Sequence, residues 1–157
     1  MYGGKEMQSL TFTPGRAFLS SDSTAVPWTV VFEDEGVTGY FYACDRSHER
    51  LEDSILDAML IYNVSALTRD NVGSQELEKH ADAPVQRIVS IQWSHDGLKA
   101  VLYLDGAAQA LFDFGARCGF CRLNFPNFMA DQGDVWNRSG HAWSDAAFEQ
   151  FEAALYA

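Results

Sequence analysis

Residues 85–117, VQRIVSIQWSHDGLKAVLYLDGAAQALFDFGAR, are three alternating apolar runs divided by two Asp-Gly pairs. Gly and Asp tolerate the positive φ of tight hairpin turns, so this pattern reads as a three-stranded antiparallel meander. Its register follows as well, because a slip of one residue would send every side chain to the opposite face. A two-residue loop at Asp96-Gly97 sets Trp93 opposite Ala100, Ile91 opposite Leu102 and Val89 opposite Leu104. At Asp105-Gly106 the same loop would put Leu102 against Gln109, whereas a three-residue loop puts Leu102 against Ala108 and Leu98 against Phe112, so a bulged second turn is expected. One face then carries Val89, Ile91, Trp93, Leu98, Ala100, Leu102, Leu104, Ala108, Ala110 and Phe112 and belongs to the core. The other carries Ser90, Gln92, Lys99, Val101, Tyr103, Gln109, Leu111 and Asp113, a mixture of core and solvent character.

The rest of the chain supplies further elements. Residues 1–9 are polar and expected to be disordered, leaving residues 10–157 as a single domain. Leu10, Phe12 and Phe18-Leu19 suggest short strands around Pro14-Gly15. WTVVFEDEGVTGYFYACD reads as a hairpin turning at Asp34-Glu35-Gly36, with Gly39 marking a bulge or close backbone approach. In LEDSILDAMLIYNVSAL, residues 51–67, Ile55, Met59 and Tyr62 with Leu56 and Leu60 fall at helical spacing, which predicts a buried central helix. Residues 68–84 form a polar connection. A C-terminal helix is expected from about Ser144, with Ser144 as N-cap, a Trp143–Phe148 staple and a buried stripe of Phe148, Phe151 and Leu155. The order describes an α+β domain: an antiparallel sheet, built from the N-terminal hairpin and the meander, packed against a central helix and a C-terminal helix.

Charge narrows the partners. The 157 residues carry a formal charge of −11, which repels nucleic acid and anionic lipid. No run of about eighteen apolar residues is present, so a membrane span is not expected and a cytoplasmic location is the default. Residues 33–57 hold eight acids and two bases, whereas residues 85–122 hold four bases and three acids. A small anion would therefore seek the meander, and a basic partner the segment from Glu33 to Asp57.

Three cysteines, Cys44, Cys118 and Cys121, suit a reducing compartment. Cys118-Gly119-Phe120-Cys121 lacks the following helix that a redox pair uses to lower its thiol pKa. Cys44, His48, Cys118 and Cys121 could complete a zinc tetrahedron only if a turn at Gly119 brought both of the later sulfurs together, so buried structural cysteines are the simpler expectation and no metal or cofactor is called for. His141 stands between Trp136 and Trp143 and could serve Cys118 or Cys121 as a base. Asp113, Arg117 and Arg122, where the third strand runs into an aromatic loop with Phe120, Phe125, Phe128 and Trp136, could bind a carboxylate or phosphate, with His141 alongside. The competing expectation is an Asp113–arginine bridge that pins the loop.

WSHDGLKAVLYLDGAAQALFDF from Trp93 to Phe114, with ARCGFCRLNFP after it and ILDAMLIYNV before it, resembles a bacterial family classed as a domain of unknown function. The resemblance covers most of the chain after about residue 18. It implies a small, soluble bacterial cytoplasmic protein with no assigned activity, so no catalytic residue carries over. The combined expectation is a non-enzymatic binding or adaptor protein. Two alternatives stand beside it: an enzyme or sensor for a small anionic ligand using the aromatic loop, and an acidic immunity-like protein that binds a basic partner. A homodimer could form through the outer face with Val101, Tyr103 and Leu111.

Overall fold

The computed structural model describes residues 7–13, 15–36, 38–50, 54–63, 86–123, 136 and 140–155. Among them the chain forms β1 (Met7–Phe12), β2 (Ala17–Asp22), β3 (Trp28–Asp34), β4 (Thr38–Asp45), β5 (Ile55–Asn63), β6 (Arg87–Trp93), β7 (Lys99–Leu104), β8 (Ala107–Asp113), β9 (Cys118–Cys121) and α1 (Asp145–Leu155). The strands make two antiparallel sheets, one in the order β1-β6-β7-β8-β9 and one in the order β2-β3-β4-β5. A single core joins the two sheets. Val89, Ile91, Leu102 and Phe112 of the five-stranded sheet share it with Val30, Phe32, Phe41 and Met59 of the four-stranded sheet. Aromatic rings bridge the sheets, with Phe41 and Phe112 centroids 5.0 Å apart and Phe12 and Phe32 5.5 Å apart.

The meander forms with the expected β6–β7 register: Trp93 pairs with Ala100, Ile91 with Leu102 and Val89 with Leu104. The two turns do differ, but their characters are exchanged. At the first, Ser94 N donates to Lys99 O and closes a loop wider than two residues, in which Gly97 has φ 76°. Asp96 accepts from Ser94 Oγ and from Leu98 N, contacts that hold its carboxyl below the usual range. At the second, Leu104 pairs directly with Ala107, and both Asp105 (φ 52°) and Gly106 (φ 85°) are left-handed, as a two-residue primed turn requires. The bulge lies inside the strand, between Leu102 and Tyr103, so Leu102 faces Ala110 rather than Ala108. Asp105 explains the exchange: its carboxylate accepts from Ile88 N and pairs with Arg87, which draws the tight turn onto β6. Shifting the bulge inward moves Ala108 to the opposite face.

That opposite face is covered. Val101, Ala108 and Leu111 cluster with Phe151 and Leu155 of α1, and Tyr103, Phe120, Trp143 and Phe148 pack around them. The helix begins as expected, with Ser144 Oγ accepting from Ala147 N and the Trp143 and Phe148 rings 5.8 Å apart.

The expected central helix is a correction: Ile55–Asn63 is strand β5, an outer strand of the four-stranded sheet. Both of its faces are buried, so the alternation that would have marked a strand is missing. Two register shifts against β4, at Gly39/Tyr40 and Ala43/Cys44, also break its period of two, and Ile61 and Tyr62 join the same core despite being neighbours. Apolar residues consequently recur at intervals that imitate a helix. Gly39 admits this arrangement, since a Cβ there would come within 2.5 Å of the Tyr62 ring. At the N-terminus Met7–Ser9 belong to β1, while residues 1–6 and the polar connection at 68–84 lie outside the described residues.

Because Phe151 is fully buried between α1 and the sheet, Phe151→Ala is expected to cost about 3–5 kcal/mol in urea unfolding. A loss below about 1 kcal/mol would show that the helix does not depend on this anchor.

Candidate functional site

The arginine constellation is dispersed. Asp113 Oδ1 accepts from Ala116 N and shapes the turn between β8 and β9. Arg117 is exposed on that turn at φ 57°. Arg122 stands at the far end of β9, where Nε donates to Ala108 O at 2.8 Å and the guanidinium lies 4.1 Å from the centroid of the Trp143 ring. It links β8, β9 and the approach to α1. No described ion pair joins Asp113 to either arginine. Of the aromatic loop, Trp136 lies in the inter-sheet core, Phe120 packs near α1, and Phe125 and Phe128 are outside the described residues.

His141 has a different partner. Its Nε2 donates to Asp57 Oδ2 at 2.8 Å, and the two side chains are 3% and 0% exposed. Asp57 stands opposite Ala43 on the core side of β5. Beside it Cys121 N donates to His141 O, Ala142 forms a parallel bridge with Cys121, and Cys121 Sγ donates to Leu60 O. These contacts sew the edge of the four-stranded sheet, the edge of the five-stranded sheet and the segment before α1 into one seam. Sequence reasoning missed Asp57 because the apolar run around it read as a helix; an acid within such a run was the available signal.

The cysteines do not converge. Cys118 and Cys121 pair with Asp113 and Ala110 in a regular strand, so they point to opposite faces. Cys44 is fully buried on β4 and His48 is exposed beyond it, which corrects the four-residue zinc alternative. Among the described residues no group of three or more His, Cys, Asp and Glu is arranged to hold a metal ion. Burial, then Asp113 and Asp57, push the Cys118 thiol up, opposite to the shift that activates a nucleophile. Burial pushes Cys44 up to about 11, with a hydrogen bond involving Ser54 acting the other way.

A recess lies on the acidic segment instead. A groove of about 320 Å³ is lined by Gly15, Arg16, Ala17, Phe18, Glu33, Asp34 and Glu35. Asp34, one of these residues, is buried and turned to the core side of β3, where it accepts from Gly15 N at 2.7 Å, Gly36 N at 3.2 Å and Tyr62 Oη at 2.6 Å. Burial, then that bond to Asp34, push the Tyr62 hydroxyl well above the usual phenol range. Phe18 pairs with Glu33 across β2 and β3 yet is 54% exposed. Tyr42 Oη donates to Glu33 Oε1 at 2.9 Å and so orients that carboxylate. The acidic run was visible in the sequence, but Phe18 joins it only through strand pairing.

With this geometry in view, the relationships are consistent with a small bacterial β-sheet protein. Residues 12–152 match the family described as "Uncharacterized protein conserved in bacteria (DUF2251)", and the chain belongs to that family. It is also 32% identical over 111 residues to an uncharacterized protein of Haemophilus influenzae, covering 71% of this chain and 58% of the relative. The chain thus spans less than two thirds of that relative's length. No solved structure matches it. No described helix is long and apolar enough to cross a membrane.

Two outcomes test the seam and the thiol. His141→Ala and Asp57→Ala should each cost about 3–5 kcal/mol, with a double variant far less destabilised than the sum; additive losses would show that the two side chains act independently. For Cys44, the unfolded thiol ionises from about pH 8.5 while the folded one remains protonated, so its contribution is complete below that pH and falls as pH rises. With a folded value of about 11, wild type should lose about 2 kcal/mol more between pH 9 and 11 than Cys44→Ala. Equal slopes in urea titrations across that window would refute this.

Proposed function

We propose that the protein is a non-enzymatic binding module whose acidic groove takes a basic segment of a protein partner. The groove carries the proposal: a recess with the exposed aromatic side chain of Phe18 and with Glu33 and Glu35 among its lining residues. A Lys- or Arg-bearing segment with an apolar side chain would place that side chain against Phe18 and its cation beside Glu33. Arg16, also among the lining residues, would favour one orientation by repelling a cation at its end. Acids outnumber bases eight to two over residues 33–57, so the surrounding field would steer the same class of partner. An acidic immunity-like protein that masks a basic partner is one form of this arrangement. The arginines of the sequence-predicted anion site are engaged in turn and strand packing or stand apart, which makes the small-anion alternative the weaker one.

The test uses a short Lys- and Phe-containing peptide as probe. Wild type should bind it with an affinity that falls as salt is raised, Phe18→Ala should weaken binding about tenfold, and Glu33→Lys with Glu35→Lys should abolish it. Failure of wild type to bind the probe, or equal binding by the charge-reversed variant, would overturn the assignment.

A further inference from the structure

The four outer strands of the two sheets are treated differently. β9 is closed off by Cys121 N donating to His141 O and by the bridge from Cys121 to Ala142. β5 carries two register shifts and the buried Asp57, and β2 ends on the charged Asp22. Among the described residues β1 has none of these protections. Its sequence, MQSLTF, contains no charge and no proline, and it pairs with β6 through six consecutive positions without a shift. Met7, Gln8, Ser9 and Thr11 are exposed. Among the described residues no backbone hydrogen bond joins β1 to β2, so one row of its amides and carbonyls has no strand beside it. Native proteins ordinarily blunt such an edge with charge, proline, a bulge or a cover.

We propose that a second copy of this chain covers β1, pairing antiparallel with it about a two-fold axis at Ser9, so that one five-stranded sheet continues into the other. Charge selects this edge. A chain of net charge −11 repels its own copies over most of its surface, whereas β1 is uncharged and borders the meander, where bases slightly exceed acids. Side chains select the register. Met7 and Ile88, 48% and 47% exposed, lie at opposite ends of the face that α1 leaves uncovered, and Ile88 pairs with Thr11. Centring the axis on Ser9 sets Met7 of each copy against Thr11 of the other, on the same face and beside Ile88. The two-fold axis makes this Met7–Thr11 contact twice, once on each side of Ser9. This assembly leaves the Phe18 groove, on the other sheet, independent of it.

Sedimentation of the full chain over a range of concentrations and salt tests the arrangement. Wild type should show a monomer–dimer equilibrium that strengthens with salt as the general repulsion is screened. Ser9→Lys places two like charges together at the axis and should weaken association at least about tenfold while the far-UV circular dichroism spectrum stays that of wild type. Glu33→Lys should still dimerise, which separates this contact from the acidic groove. A strict monomer at every concentration and salt, or a dimer that Ser9→Lys leaves intact, would overturn the proposal. Disulfide capture by Ser9→Cys provides a second readout: a crosslinked dimer under mild oxidation supports the register, and failure to crosslink contradicts it.

Discussion

Leu111 and Phe112 are neighbours in β8, point to opposite sides of the five-stranded sheet, and are both almost wholly removed from water. A sheet with only one apolar face could rest on a single partner, but this one must be covered twice. The four-stranded sheet covers Phe112 and α1 covers Leu111. The remainder of the fold follows from that double requirement. The chain must deliver three layers, and the last of them is provided by the C-terminal helix once the sheets are complete.

Polar residues hold the layers at their margins. Asp57 and His141 bind the seam between the two sheets close to the entry of α1, while Asp34 binds the opposite corner through Gly15, Gly36 and Tyr62. Each buried carboxylate meets donors from more than one element, which limits the cost of its desolvation. Arg122 works similarly from the surface, joining β8 to Trp143. The residues with the most evident chemical potential are thereby largely occupied in construction. The less conspicuous Phe18 and Glu33 remain partly exposed beside the recess.

The strands of the meander were legible because local turns and side-chain alternation specify them together. Ser144, Trp143 and Phe148 made the final helix legible for the same reason: cap and staple lie within a few residues of one another. β5 was misread because Ile55 to Tyr62 is buried on both sides, and two bulges replaced the strand period with one that resembles a helix. The second turn was misplaced because Asp105 takes its partners from β6, far from it in sequence. At the candidate site, Arg117 and Arg122 are five residues apart but occupy opposite ends of β9, and proximity along the chain overstated their proximity in space.

By itself the sequence determined the meander, its first register, the capped helix and a strongly acidic net charge. These depend on short-range turn chemistry, alternation and total charge, all of which survive without knowledge of any distant neighbour. Tertiary structure decided that β5 is a strand, that His141 meets Asp57, that α1 closes the mixed face, and that Phe18 joins Glu33 beside a groove. Each of these depends on a pairing between residues remote in sequence, where the partner available in space, rather than local preference, sets the lowest free energy.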